Sequence, residues 1–288
     1  MGPRSYKKKG FGHGVNMKQI SFSIVHKNFY VTLFPKHVAL SLCALFTGIF
    51  LIHATHLEAQ IGSGTGSPRD TDSDRATDFL SQYWDEAVKR WSHDIEALEQ
   101  RDVDQRDPKD AILFIGSSSI RRWESIETDM APYQVVQRGY GGAKYSDLAV
   151  FSKRLIHPHE YSALVVFVAN DVQGKSEDHS CEQVEECIRH IIKVSKAHRR
   201  QAPIFFIEIT PTRKRFSAWP LIRELNARIQ QVSSSFPNTY FISTAEYFLD
   251  PFGNPRDELF VDDQLHLNNA GYEKWSVLIR RELDKVLR

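Results

Sequence analysis

Short apolar runs alternate along this chain with amphipathic segments, and that alternation restricts the possible folds more than any other feature. The run AILFIG, at residues 111–116, is continuous and ends in glycine, as a buried parallel strand does. Four further strands are predicted, at 133–139, 162–171, 202–211 and 238–244. Helical patterns lie around them, at about 80–98, 146–155, 182–198, 220–234 and 269–287. Strands that alternate with helices predict an α/β fold, with a parallel sheet covered on both faces.

In such sheets, ligands bind at the carboxyl ends of the strands, so the segments that follow the strands are the candidates for function. Five segments are expected to share this edge. They are GSSS at 116–119, RGYGGA at 138–143, Asn170 with Asp171, TPTRKRFSAWP at 210–220, and VDDQLHLNNAGY at 261–272. Together they supply hydroxyls, a glycine-rich turn, a side-chain amide, and an acid three residues before a histidine.

These groups form a set suited to acyl transfer. A serine hydroxyl is a weak nucleophile at neutral pH and needs a base, for which histidine is suited. A carboxylate orients the imidazole, and backbone N–H groups with an asparagine amide can hold developing oxyanion charge. The stretch FIGSSSIRRW by itself leaves the choice among Ser117, Ser118 and Ser119 open.

In these blocks the sequence resembles the SGNH (GDSL-type) hydrolases, a lipase and esterase superfamily, over nearly all of residues 77–288. The family's Gly-Asp-Ser block reads Gly116-Ser117-Ser118 here, in the GSSSIR.W form of one subgroup. By that match Ser118 is the nucleophile, and Ser117 stands where the family usually has aspartate. The segment DQLH resembles the family's Asp-x-x-His, which makes Asp263 and His266 the partners of the serine.

The other two blocks match the oxyanion site of the family. QRGYGGA resembles Asn-Arg-Gly-x-x-Gly, so Gly142 matches the glycine that contributes an N–H group, and Gly139 is expected to have a conformational role. Asn170 matches the asparagine that donates its amide, although Val168 replaces the glycine usual two residues earlier. The resemblance implies an oxyanion hole formed by Ser118, Gly142 and Asn170.

The resemblance also implies a three-layer α/β/α sandwich with a flavodoxin-like sheet of about five parallel strands. The implied activity is a serine esterase that needs no cofactor and no metal. We expect small acyl or acetyl esters as substrates, with polysaccharide as one candidate alcohol. Arg213 and Trp219, on the loop after the fourth strand, are candidate substrate contacts.

The amino-terminal residues predict export. Residues 1–57 hold no acidic residue but several lysines, and they include an uncharged run at 38–52. Ala59 then offers a small residue before a cut. This pattern predicts a signal peptide over 1–59 and a periplasmic or extracellular protein, starting at Met1 or Met17. The alternative is a membrane anchor retained through 38–52, although that run is shorter than the roughly 18–20 residues of a span. Residues 60–76, rich in Gly, Ser and Asp, predict a flexible linker before a domain at 77–288.

The charge of the predicted mature domain argues against nucleic-acid binding, and the spacing of its cysteines argues against a disulfide. Cleavage after Ala59 lowers Lys plus Arg from 37 to 30 and Asp plus Glu from 36 to 35, so the net charge changes from +1 to about −5. An acidic domain does not favour nucleic acid as a partner. Cys181 and Cys187, six residues apart on one predicted helix, are about 9 Å apart and beyond disulfide reach.

Two other functions remain as alternatives. The first is a catalytically inactive glycan-binding module on the same fold. The second is a flavodoxin-like nucleotide binder that uses GSSS as a phosphate cradle, although it leaves the DDQLHLN segment without a role. The sequence does not determine the oligomeric state.

Overall fold

A parallel sheet of five strands forms the centre of the described part of the chain. The computed structural model describes Gly2 and residues 71–288, with side chains from Phe79 onward. The strands are β1 (Ala111–Gly116), β2 (Val135–Gly139), β3 (Tyr161–Phe167), β4 (Ile204–Ile207) and β5 (Thr239–Ile242). All pair in parallel, in the order β2-β1-β3-β4-β5. The predicted α/β fold with a flavodoxin-like sheet of five parallel strands is confirmed.

Seven helices surround the sheet in the described part of the chain. They are α1 (Thr71–Asp104), α2 (Ser118–Arg121), α3 (Ile126–Asp129), α4 (Tyr145–Ile156), α5 (Cys181–His198), α6 (Trp219–Ser234) and α7 (Asn269–Leu287). Short 3₁₀ turns occupy Arg213–Ala218, Ala245–Phe248 and Asp257–Leu259. Helices α1, α4, α5 and α6 pack on one face, where Leu113 and Ile115 of β1 point. Helices α2, α3 and α7 cover the other face, against Ile112 and Phe114, so the sandwich has three layers.

The strand order creates a crevice beside β1. The chain passes from β1 to β2 on one side and then returns to β3 on the other. The connections after β1 and β3 therefore diverge at the carboxyl edge, which is where open α/β sheets bind ligands. Beyond the end of β4, the side chain of Asn226 on α6 accepts from the backbone N–H of Ile209 at 2.9 Å and donates to its carbonyl oxygen at 3.0 Å.

Helix α1 begins earlier than the sequence predicted. It starts at Thr71, so residues 71–76 belong to a helix and not to a linker. The segment TDSDRA contains neither Gly nor Pro, and acidic residues are favourable in the first turn of a helix. The rest of the predicted linker, 60–70, and the predicted signal peptide or anchor, 1–59, lie outside the described residues apart from Gly2, and both stay predictions. None of the described helices is long and apolar enough to cross a membrane.

The carboxyl end of α1 is held to the sheet by charged side chains. Arg138 of β2, only 3% exposed, donates from Nε to Asp102 at 2.6 Å. His159, in the loop before β3, contacts Asp107 through Nδ1 at 2.8 Å. Because buried charges require partners, the contact between Arg138 and Asp102 ties the last turn of α1 to β2.

The core between α7 and the sheet depends on Trp275. Its ring is fully buried and lies edge-on to Phe167, with the ring centroids 4.6 Å apart. We expect Trp275→Ala to lower the free energy of unfolding by about 3–5 kcal/mol, because the change leaves a large cavity. Val277→Ala, on the same helix but 52% exposed, should change it by less than about 0.5 kcal/mol. Urea unfolding followed by far-UV circular dichroism measures both, and equal losses would contradict this account of the core.

Candidate active site

The turn after β1 places Ser118 at the carboxyl edge of the sheet. Gly116 has a φ of +149°, and a Cβ there would lie 2.0 Å from the carbonyl oxygen of Phe167. Glycine therefore allows β1 to approach β3 closely, and the N–H of Ser117 donates to that same carbonyl at 3.0 Å. Ser118 is the first residue of α2, so its N–H has no acceptor within the helix.

Ser118 contacts His266, which lies 148 positions later in the sequence. His266 Nε2 lies 3.0 Å from the Ser118 hydroxyl oxygen, and His266 Nδ1 lies 2.6 Å from Asp263 Oδ2. Both residues come from the loop between β5 and α7. The three side chains therefore form one hydrogen-bonded series, in which the carboxylate favours the tautomer that leaves Nε2 free to accept a proton.

The carboxylate of Asp263 is stabilised by its own loop. Gln264 adopts a left-handed φ of +55°, which turns the N–H groups of Leu265 and His266 onto Asp263 Oδ1, both at 2.9 Å. Burial raises the pKa of Asp263, but these backbone donors and the imidazole outweigh burial and lower the pKa to about 2. Arg122, half exposed, lies 3.4 Å from Asp263 Oδ2. The carboxylate is therefore ionised at neutral pH.

The other two predicted blocks meet beside this series. Asn170 donates from Nδ2 to the carbonyl oxygen of Ala143 at 2.9 Å, and a Cβ built on Gly142 would lie 3.8 Å from the same nitrogen. The loop is held from outside by α1, because Trp91 covers Gly141 so closely that a Cβ there would overlap the ring. Gly142 and Asn170 are thus neighbours at the carboxyl edge.

Two glycine and serine positions have roles that the sequence did not specify. Gly139, expected to be conformational, is instead required for close packing: a Cβ there would lie 2.4 Å from the backbone nitrogen of Arg121. Ser117 is buried, and its carbonyl accepts from Ile120 and Arg121, which begins α2. Of the three serines in GSSS, Ser118 is the one whose hydroxyl contacts His266.

The predicted substrate contacts lie away from the series, and another arginine lies close to it. Arg213 pairs with Asp257 at 3.1 Å on the surface. Trp219 borders a separate cavity next to Glu208. Arg215, which no sequence motif distinguished, donates to Asn170 Oδ1 at 2.5 Å. The only signal was the basic segment TRKR, in which spacing cannot distinguish one arginine from another. The backbone at Arg215 departs from helical geometry within the 3₁₀ turn, and this local conformation is not visible in the sequence.

Two spaces of very different size adjoin the series. A narrow cavity of about 30 Å³ lies beneath Ser118 and His266, with Asn170 and Arg215 in its wall. Its other walls combine apolar side chains, Phe167, Ala169, Ile209, Ile222, Phe260, Leu265, Leu267 and Trp275, with the hydroxyl residues Ser117, Ser119, Thr210 and Thr212. An open groove of about 970 Å³ lies on the far side of His266. Its polar walls include Arg122, Glu124, Ser125, Asn268 and Asn269.

Cys181 and Cys187 are free thiols on α5, and burial raises the pKa of the Cys187 thiol well above its usual range. Among residues 79–288, no three or more His, Cys, Asp or Glu side chains cluster in a way that could hold a metal ion.

The hydrogen-bonded Ser–His–Asp series lies at the carboxyl ends of the strands of a three-layer α/β fold. Residues 108–274, more than half of the chain, match the GDSL-like Lipase/Acylhydrolase family, and the chain belongs to that family. No curated protein matches the chain.

Solved structures share the fold at low sequence identity. A Streptococcus pneumonia protein, provisionally described as a platelet activating factor, is 18% identical with a TM-score of 0.61, and the match covers 73% of this chain and 99% of that one. A GDSL-like lipase from Bacteroides thetaiotaomicron VPI-5482 is 16% identical with a TM-score of 0.57, covering 66% and 97%. At these identities the similarity shows the fold alone.

Proposed function

We propose that this protein is a serine esterase of the GSSSIR.W subgroup that hydrolyses carboxylic esters of small acyl groups. The observation that carries the proposal is the continuous series of hydrogen bonds from Ser118 Oγ through His266 to Asp263, at 3.0 and 2.6 Å. A nucleophile within reach of a base, which is itself oriented by a third group, is the geometric signature of nucleophilic catalysis.

The proposed reaction has two steps. His266 Nε2 takes the proton of Ser118 as Oγ attacks the ester carbonyl carbon, and the carbonyl electron pair moves onto oxygen. The N–H groups of Ser118 and Gly142 and the amide of Asn170 stabilise that oxyanion. His266 then protonates the leaving alcohol, which leaves an acyl group on Ser118. In the second step His266 activates a water molecule, which releases the acid and restores the serine.

The unequal spaces beside the series favour a small acyl group on a large, polar alcohol. The cavity beneath Ser118, about 30 Å³, has room for about two to three water-sized groups, which suits a short acyl chain. The groove of about 970 Å³ lies next to His266, the residue that protonates the leaving alcohol. Its arginine, glutamate and asparagine side chains are suited to hydroxyl groups, so acetyl esters on carbohydrate are the proposed substrates.

A series of nitrophenyl esters tests the acyl preference. With the leaving group held constant, we expect kcat/KM for the acetate ester to exceed that for the octanoate ester by at least about 10- to 200-fold, the range that a single methylene group commands in a fitted pocket. Released nitrophenolate measures the rates. A preference for long chains would contradict the small acyl site.

Natural esters test the alcohol. We expect acetate release from acetylated glycans to exceed fatty acid release from phospholipid vesicles, with each acid quantified after equal incubation. Faster release from phospholipid would overturn the carbohydrate assignment. If no ester is hydrolysed and a deacetylated glycan still binds, the alternative of an inactive glycan-binding module is supported instead.

A further inference from the structure

Arg215 holds the side-chain amide of Asn170 from the side opposite the glycine loop. Its guanidinium donates to Asn170 Oδ1 at 2.5 Å and also to the carbonyl oxygen of Ala169. The two acceptors belong to consecutive residues after β3. The planar guanidinium therefore binds the backbone of Ala169 and the side chain of Asn170 together. The same arginine lines the narrow cavity beneath Ser118.

An asparagine amide has two orientations of nearly the same shape, and they differ only in which side the oxygen and the nitrogen occupy. A guanidinium has hydrogen-bond donors and no acceptors. It therefore binds the amide oxygen Oδ1 and repels the hydrogens on Nδ2. Asn170 Nδ2 therefore faces away from Arg215, where it donates one hydrogen to Ala143 at 2.9 Å, next to Gly142. Without the arginine, only the carbonyl oxygen of Ala143 would favour this orientation, and the reversed amide, if populated, would present an acceptor to the developing oxyanion.

We infer that Arg215 is a positioning residue for the oxyanion site: it fixes the orientation in which Asn170 offers a donor. This inference rests on the proposed esterase function. Arg215 acts through Asn170, so its contribution should be present in the transition state, where negative charge develops on oxygen, and small in the ground state.

The loop that carries Arg215 is also attached to the histidine segment. The backbone N–H of Lys214 donates to the carbonyl oxygen of Gln264 at 3.1 Å. Arg215 is largely enclosed, and burial lowers its pKa while Asp171 and Asp178 act in the opposite direction. An arginine loses its proton only above about pH 12, so the side chain remains a cation at neutral pH. The loop after β4 thus contacts both the Asn170 segment and the segment that carries Asp263 and His266.

Steady-state kinetics give the first test, with nitrophenyl acetate as the substrate. We expect Arg215→Met to lower kcat by about 10- to 100-fold, part of the roughly 10²- to 10³-fold cost of losing an oxyanion donor, with KM changed less than about threefold. Arg215→Lys should restore part of kcat, since lysine can still donate to Oδ1. Arg223→Met is the charge-matched control on the exposed side of α6, and it should keep kcat within about twofold. A normal kcat in Arg215→Met would overturn the inference.

A double-mutant cycle separates positioning from general damage. If Arg215 acts through Asn170, then Arg215→Met should cost less than about twofold when Asn170 is already alanine. A full additional loss in that background would overturn the inference, because it would show an effect that does not pass through the amide.

Nuclear magnetic resonance gives a readout that does not depend on activity. In protein labelled with ¹⁵N in asparagine side chains, the Asn170 signal is the one that Asn170→Ala removes. We expect Arg215→Met to shift or broaden that signal while the Asn226 signal, whose amide binds Ile209, stays in place. An unchanged Asn170 signal would overturn the inference.

A wild-type protein that hydrolyses no ester and does not react with a serine-directed phosphonate would contradict the proposed function. The Asn170 signal would still decide whether Arg215 orients the amide.

Discussion

Replacement of Ser118 by alanine is expected to lower kcat/KM for nitrophenyl acetate by about 10⁴- to 10⁶-fold. The hydroxyl is the group that His266 Nε2 contacts at 3.0 Å, and no acyl intermediate can form without it. The same variant should not react with a fluorophosphonate, which labels an activated serine. Intact-protein mass spectrometry measures the labelling, and ester hydrolysis at several enzyme concentrations measures the rate.

Ser119→Ala is the matched control for that experiment. Ser119 is the next residue in α2, and its contact with α7 is made by its backbone carbonyl, which accepts from Tyr272 at 2.9 Å. The variant should therefore fold normally and keep phosphonate labelling at Ser118. Ester hydrolysis that persists in Ser118→Ala, or labelling that is lost only in Ser119→Ala, would mean that the nucleophile is wrongly assigned.

Replacement of Asp263 by asparagine should lower kcat by about 10⁴-fold. The carboxylate accepts from His266 Nδ1 at 2.6 Å and so holds the proton on that nitrogen. An amide can turn its NH₂ group toward the ring and favour the opposite tautomer, in which Nε2 cannot take the proton of Ser118. Because the pKa of Asp263 is lowered to about 2, the acid should remain ionised, and wild-type activity should not fall through its protonation at any pH above about 4.

Asp262→Asn controls for the loss of one negative charge in the same loop. Asp262 is adjacent in sequence and exposed. We expect its replacement to change kcat less than about twofold, since an exposed charge at the surface is screened by solvent. The comparison is made from initial rates between pH 5 and 9. Equal losses in the two variants would show that the charge of the loop matters and that hydrogen bonding to His266 does not.

The sequence predicted the architecture well because its signals are local. Each strand is an apolar run with a glycine or polar residue at its end, and AILFIG corresponds to β1 residue for residue. The boundary of α1 was predicted less well, since Thr71 opens a helix within a segment whose Gly, Ser and Asp content resembles a linker. Composition cannot distinguish a solvated helix start from a flexible segment.

Site residues on distinctive motifs could be proposed from the sequence, whereas those selected by packing could not. Asp263 and His266 are three residues apart, and a turn of that length brings the carboxylate to the ring. Arg215 has no such spacing to Asn170, because the two residues are 45 positions apart and meet only through the 3₁₀ turn after β4. Arg213, two residues earlier, ends in a surface ion pair with Asp257 instead.

The sequence by itself therefore determined the alternation of strands and helices, the sheet edge where function should lie, and the residue types present there. Only the tertiary structure decided which atoms meet. Contacts between Ser118 and His266, 148 positions apart, or between Gly116 and Phe167, depend on how strands pair and how loops pack. The alternation follows from each segment's own burial, while the contacts follow from steric fit and hydrogen bonding between segments that are distant in the chain.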